Sequence, residues 1–275
     1  MKKIKIKING RPGWHIECST MSMKYLDTET LDIHGGGRDL IFTHHENEIA
    51  QAEVITDKPF AKYWIHHGLV TINGQKMAKS LGNFITVKDF IEKYKDVNIL
   101  KLFFLSTHYS HPIDFTEEKM EDARRALERI LILLDKIENK LSVVSSQLSE
   151  KKYEEIENIK NKFIQAMDDD FNTPQGLAAI FELVNITNKN IDDLNFIYNA
   201  KAAIKELLET LGISLRMENR LAEISDKEVS EKISERNKAR KNKDFALADQ
   251  IRKELEEKGI ILEDTKQGTT WRRKL

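Results

Sequence analysis

Three side chains in the first fifty residues have the types and spacing to hold a metal ion: Cys18, His44 and Glu48. His44 and Glu48 stand four apart in Thr43-His44-His45-Glu46-Asn47-Glu48, which reads as a helix opened by a capping box, with Thr43 as cap and Glu46 three residues on. On such a helix both side chains project from one face. A thiolate, an imidazole and a carboxylate suit zinc, and three protein ligands with a fourth position open mark a catalytic rather than a structural site. The same residues also fit a capped surface helix with a buried free cysteine nearby, and spacing alone leaves both readings open.

Two further runs have the make-up of an anion site. Asp32-Ile33-His34-Gly35-Gly36-Gly37-Arg38-Asp39 places three glycines after an apolar, strand-like stretch and ahead of a helix. Bare backbone amides there can approach a phosphate or ribose, and Asp39 can accept from sugar hydroxyls; a flexible strand-to-helix turn is the plainer alternative. Lys76-Met77-Ala78-Lys79-Ser80-Leu81-Gly82-Asn83 carries two lysines three apart on a loop beside Gly74 and Gly82. Cations so placed can fold over a polyphosphate and stabilise charge on a departing pyrophosphate, although a lysine pair is also ordinary solvated charge.

These runs must be positioned by two differently built parts of the chain. All four prolines fall at or before Pro174 and the glycines crowd into the first 85 residues. Short apolar runs such as Leu31-Asp32-Ile33-His34 and Leu69-Val70-Thr71-Ile72 alternate with helix-like stretches, the pattern of α/β layering. From Thr116 on, Leu127, Ile130, Leu131, Leu134, Ile137 and Leu141 step by threes and fours along a long amphipathic helix, and Leu177, Ile180, Phe181 and Val184 mark another. The second is expected to start with Thr173 as cap and Pro174 in the first turn; a helix over 200–211, ended by Gly212, follows. Residues 217–231 read as a polar, partly helical linker. From Ser230 to the end, 13 basic residues face 9 acidic ones, around a helix at about 244–258 stopped by Gly259.

A length of 275 residues suits two or three domains, and 40% apolar with 32% charged residues rules out global disorder. With 44 basic and 45 acidic side chains, no overall field draws the chain to nucleic acid or membrane, so such a partner must be met by a local patch. One cysteine makes no internal disulfide, and no apolar run approaches the roughly 20 residues of a membrane span. The expectation is a cytoplasmic protein with no membrane partner.

Taken together, Gly10-Arg11-Pro12-Gly13-Trp14-His15-Ile16-Glu17-Cys18-Ser19, the triple-glycine run, Phe42-Thr43-His44-His45-Glu46-Asn47-Glu48 and Lys76-Met77-Ala78-Lys79-Ser80 resemble the cysteinyl-tRNA synthetases, class I aminoacyl-tRNA synthetases. The resemblance continues through Asp168-Asp169-Asp170-Phe171-Asn172-Thr173-Pro174 and from Ala239 to Asp249, then to Trp271. It implies an α/β plus all-α chain: an incomplete Rossmann-type catalytic domain with a KMSKS-like loop (1–112), a DALR-like helical bundle (113–216), and a linker with a small anticodon-binding domain (217–275). The activity implied is activation of cysteine with ATP and Mg2+ to cysteinyl adenylate, then transfer to tRNA(Cys). One Zn2+ is implied at Cys18, His44 and Glu48, its softness separating thiol from alcohol. Trp14 and His34 match positions lining the amino-acid pocket, Gly36 and Asp39 resemble the adenosine contact, and Lys76 and Lys79 the catalytic loop over the phosphates, where Ala78 stands for the more usual serine. Phe245 and Asp249 match an aromatic and a carboxylate that meet the anticodon, with Arg240 among basic residues facing phosphates; Phe245 packing its helix onto its own domain is the alternative.

The pattern departs from the family at its start. The family's nucleotide-binding half, with a His-x-Gly-His signature and a second cysteine ligand of zinc, has no match, and residues 1–9 are a Lys/Ile leader. The expectations that follow are a parallel sheet with an exposed edge and a separate chain that supplies the N-terminal half. A non-catalytic tRNA-binding remnant or subunit is the alternative, and a ligase coupling cysteine to an amino sugar a third, which has no use for an anticodon-like tail.

Overall fold

The computed structural model describes residues 10, 13–142, 148–215, 226–242, 244–257, 260–265 and 268–273; the Lys/Ile leader and most of the expected linker lie outside them. Contacts divide the chain into two compact units, 1–214 and 215–275. Among the described residues no helix is long and apolar enough to cross a membrane.

The first unit begins with α1 (His15–Leu26) and β1 (Leu31–Gly37); a π-helical turn (Ile41–His45) then runs directly into α2 (Glu46–Thr56), and β2 (Ala61–His67) returns parallel to β1, with Gly36 opposite His66. Parallel strands need a long crossover, which the π turn and α2 supply. Leu31, Ala52 and Phe60 form the core between sheet and helix, with Ile49 and Trp64 packed on it. The glycine run is not the expected turn. It is the second half of β1, hydrogen-bonded to β2 through Gly37 opposite His67. Among the described residues this sheet has two strands, and Ile33 and Tyr63 are 61% and 68% exposed. Parallel sheets are ordinarily covered on both faces, so part of this one stands open.

β3 (Val70–Ile72) and β4 (Gln75–Lys76) form a hairpin across Asn73-Gly74, both in the left-handed conformation that a two-residue turn of this kind requires. A 3-10 turn (Lys79–Leu81) leads to α3 (Val87–Tyr94), started by the reciprocal Thr86–Asp89 capping box, and α4 (Val97–Leu105), capped by Asp96. β5 (Ile113–Phe115) then pairs in parallel with β3. The segment before β5 ties down the ends of the first sheet: Gly68 N–H donates to Tyr109 O at 2.8 Å, and Arg38 Nη1 to Ser110 O at 3.2 Å. A Cβ at Gly68 would strike the His111 carbonyl, so no larger residue fits there.

Four helices complete the unit: α5 (Glu117–Ser142), α6 (Glu154–Asp168), α7 (Thr173–Lys189) and α8 (Leu194–Thr210). The predicted stripe on α5 is buried at Leu127, Ile130, Leu134 and Ile137, with Leu133 in place of Leu131. On α7, Leu177, Ile180, Leu183 and Val184 face inward, whereas Phe181 lies under the Arg129 guanidinium, 5.2 Å from its ring centre. The cap of α7 is Asn172, not Thr173: its Oδ1 accepts from Gln175 N–H, because left-handed Asp170 and Phe171 turn the chain one residue earlier. α8 starts six residues before the expected Ala200, capped by Asp193, since Phe196 and Ile197 extend its buried face; left-handed Gly212 follows its end as expected.

The second unit packs α9 (Asp226–Lys241) and α10 (Phe245–Glu257) against the hairpin β6 (Ile260–Thr265) and β7 (Gly268–Arg273) around Val229, Ile233, Ile251, Leu255, Ile260 and Leu262. Arg236, one of the basic residues of the tail, is buried. Its guanidinium grips Asp264 with both terminal nitrogens, at 3.0 and 2.9 Å. The Asp264 carboxyl is held far below the usual carboxylate range by Arg236 and by the Thr269 hydroxyl. A group depressed in this way stabilises the fold above its unfolded pKa of about 4 and loses that contribution as pH falls. Acid titration of the full chain is therefore expected to show stability declining below about pH 4, and Arg236→Met to remove that part of the pH dependence in urea melts; an unchanged profile would show that the pair does not act.

Candidate functional site

The π turn builds the site. A π turn holds an extra residue relative to an α-helix and is frequent where function requires an unusual side-chain direction. Here it leaves two consecutive histidines inside: His44 and His45 are buried, as is Glu48 two residues into α2. Thr43 is not the expected cap, because it lies within the turn and its hydroxyl donates to Asp39 O at 2.9 Å; α2 follows from His45 without a side-chain cap.

Glu48 has no exposed surface, and its two oxygens face different partners. His34 Nε2 lies 2.7 Å from Oε2. His44 Nε2 approaches Oε1 to 3.0 Å but out of hydrogen-bonding alignment, so this buried oxygen lacks a donor. A carboxylate oxygen is costly to leave unmatched in such a place. Cys18, His44 and Glu48 bring their ligand atoms within 4.8 Å of one another, and so do His34, His45 and Glu48. Burial lowers the pKa of His44, His45 and His66, keeping these imidazoles neutral at pH 7 and their lone pairs available. Burial, and then the Glu48 carboxylate beside it, push the Cys18 thiol up. A neutral imidazole, a thiol awaiting deprotonation and an orphaned carboxylate oxygen fit a divalent cation, whose charge would reverse the Cys18 shift.

Aromatic rings wall the cluster. Trp14 stacks on His44 with centroids 3.6 Å apart and planes within 6°, and His15 Nδ1 lies 2.6 Å from His44 Nδ1. His34 meets Trp64 edge-on, and His45 Nδ1 lies 2.8 Å from His66 Nε2. His15, His45, Trp64 and His66 had no role in the sequence reading. The doubled His44-His45 and the run Trp64-Ile65-His66-His67 were the available signals.

The profile of "tRNA synthetases class I (C) catalytic domain" matches residues 7–125, "DALR domain" 162–216 and "Cysteinyl-tRNA ligase anticodon binding domain" 226–272. A cysteine–tRNA ligase of Geobacillus thermodenitrificans (strain NG80-2) is 49% identical over 271 residues, and one of Clostridioides difficile (strain 630) 47% over 268. The chain belongs to the cysteinyl-tRNA synthetase family. Each alignment takes in 96% of this chain but only 56% and 57% of the relatives, so the chain spans little more than half their length. A leucyl enzyme, solved as the ternary complex of Agrobacterium radiobacter K84 agnB2 LeuRS with tRNA and LeuAMS, superposes on 66% of this chain and 25% of that one with a TM-score of 0.53 and 20% identity, a likeness of fold alone.

The structure thus gathers Trp14, Cys18, His34, His44 and Glu48, the positions that the family resemblance assigned to zinc and the amino acid, into one cluster. Gly36 touches the same cluster from β1, and exposed Asp39 follows β1 beside Gly37. Lys76 and Lys79 stand exposed on their own loop, and no hydrogen bond or ion pair among the described residues joins them to the imidazoles. Phe245 and Asp249 are exposed at the start of α10 in the second unit, four apart and so on one helical face; Arg240 is half-exposed, 3.1 Å from Asp264.

Gly36 has a packing reason to be glycine: a Cβ there would lie 2.7 Å from the His45 ring, whereas one at Gly35 would make an ordinary 3.5 Å contact with Ile65 O. Gly36→Ala is expected to destabilise the chain by about 1–3 kcal/mol in urea unfolding, the cost of overpacking, with Gly35→Ala near neutral. Equal effects would mean that His45 yields freely.

Proposed function

We propose that this chain is the part of a cysteine–tRNA ligase that selects cysteine, meets the phosphates of ATP and reads tRNA(Cys). The whole reaction joins cysteine to ATP as cysteinyl adenylate with release of pyrophosphate, then passes the cysteinyl group to the 3′ end of the tRNA. The observation that carries this reading is the donorless, buried Glu48 oxygen grouped with Cys18 and His44 beneath Trp14. Zinc, one ion per chain on Cys18, His44 and Glu48, would supply the preference for a thiol over an alcohol.

The chain's own residues do the rest. Trp14 and His34 bound the amino-acid pocket, and the contact of His34 with Oε2 holds the Glu48 carboxylate so that Oε1 faces inward. Gly36 and Asp39 meet adenosine. Lys76 and Lys79 stabilise the negative charge that grows on the departing pyrophosphate, together with Mg2+. Phe245 offers a face to an unpaired anticodon base, Asp249 accepts from base amino groups, and Arg240 faces phosphate. Residues 1–112, 113–216 and 217–275 divide this work as catalytic portion, helical bundle and anticodon module, in the cytoplasm. The open face at Ile33 and Tyr63 supports one further element: residues beyond this chain, in the same polypeptide or a separate one, complete the sheet and the ATP site.

Cysteine-dependent ATP–pyrophosphate exchange tests the reading, run on the chain alone and with the N-terminal portion of a relative added, with metal content measured in the same preparations. The expected result is zinc retained by the chain, lost in Cys18→Ser, and exchange only when the second portion is present. Exchange by the chain alone would overturn the need for further residues; no zinc and no exchange in either mixture would overturn the ligase reading. In the second unit, Phe245→Ala and Asp249→Ala are each expected to weaken tRNA(Cys) binding about tenfold in filter assays, the scale of one lost base stack, and unchanged affinity would remove that role.

A further inference from the structure

Lys76, which ends β4, and Lys79, in the loop that follows toward α3, are both exposed and have no carboxylate partner among the described residues. Lys79 Nζ rests over the Phe84 ring instead, 5.3 Å from its centre. Two cations kept three residues apart without counter-charge are of use against an anion only if their spacing is held. Two fixtures hold it. At the base, Asp114 Oδ1 accepts from Thr71 Oγ1 at 2.6 Å and from Gly74 N–H at 2.8 Å, fixing the hairpin turn. Within the loop, a single carboxamide forms the brace: Asn83 Oδ1 accepts from Ala78 N–H at 2.9 Å, and Asn83 Nδ2 donates to Lys76 O at 3.1 Å.

We infer that Asn83 is a positioning residue for polyphosphate binding, its carboxamide locking the backbone on both sides of Met77 so that Lys76 and Lys79 present a fixed pair of charges. The inference rests on the reading of these lysines as phosphate-facing. A carboxamide offers a donor and an acceptor on one planar group. Its orientation is set by the two backbone groups, since the reverse would put N–H against N–H and oxygen against oxygen. The change Asn83→Asp keeps the acceptor and loses the donor, whereas Asn83→Ala loses both. The remaining backbone is closed by Leu81 N–H to Ala78 O and Gly82 N–H to Lys79 O, both at 3.1 Å, with Gly82 left-handed at φ 66°. Asn83 therefore supplies the one side-chain fork among the described contacts of the segment from Lys76 to Gly82. Nothing in the arrangement makes it touch the ligand.

The test is titration of MgATP and, separately, inorganic tripolyphosphate by calorimetry into the full chain mixed with the N-terminal portion of a relative, for the wild type, Asn83→Ala, Asn83→Asp, Lys79→Ala and the double variant Asn83→Ala/Lys79→Ala, with thermal midpoints recorded alongside. Both Asn83 variants are expected to bind about tenfold more weakly at an unchanged midpoint. In the Lys79→Ala background, Asn83→Ala is expected to cost much less, because positioning has one fewer charge to act on; a merely structural role would cost the same in both backgrounds. Hydrogen exchange at the Ala78 amide is expected to quicken in Asn83→Ala, which loses its acceptor, and to stay slow in Asn83→Asp, which keeps it. If Lys79→Ala weakens binding and the Asn83 variants do not, the positioning role fails and the phosphate-facing reading stands. If Lys79→Ala leaves binding unchanged, or the wild type binds neither probe, both fail together.

Discussion

A carboxylate without exposed surface dictates the local design of the first unit. A carboxylate taken wholly out of water is costly unless hydrogen-bond donors or positive charge reach both of its oxygens. In Glu48, His34 serves one of them, and the chain supplies nothing well aligned for the other. The elements nearby are arranged around that oxygen: α1 brings Cys18 and Trp14, the π turn brings His44, and β1 brings His34 while staying narrow enough at Gly36 to admit His45. Neutral imidazoles and a reluctant thiol are what such surroundings produce, and each is a ligand rather than a counter-ion until a cation arrives.

The second unit meets the same difficulty with the signs exchanged and resolves it internally. Arg236 is the buried charge, and Asp264, 28 residues away on β6, answers it with two parallel hydrogen bonds. Fork-to-fork geometry of this kind fixes direction as well as distance. The hairpin and the helix are thereby held in one orientation, and the exposed side of α10 with Phe245 and Asp249 is presented on a settled frame. The buried Arg236 finds its counter-charge within its own unit; the first unit has a place for a charge from outside.

Much of this was legible in the residues. The three- and four-residue steps of α5 and α7 identified the bundle helices because burial there depends on helical period alone. The grouping of Cys18, His44 and Glu48 was also legible, although for a reason that proved inexact: the four-residue spacing suggested one capped α-helix, and the chain brings the pair together across the junction of two helix types. The glycine run misled because glycine serves both turns and close approach, and what distinguishes the two here is a ring nine residues on from Gly36, at His45. Asn172 displaced Thr173 as cap through two left-handed residues that no local pattern announces. Arg236 looked like one more cation in a basic tail, its partner being a strand away. Contacts that a local pattern does not carry account for these misreadings.

The π turn at Ile41–His45 carries a further consequence. An α-helix advances about 100° per residue, so removal of one residue ahead of His44 would restore α geometry and turn His44, His45 and the start of α2 together by roughly that angle relative to His34 on β1 and His66 on β2. Exposed Phe42 and Thr43 tolerate exchange of identity far better than the segment tolerates a change in count. At this point in the chain, the number of residues is as much a part of the chemistry as their kind.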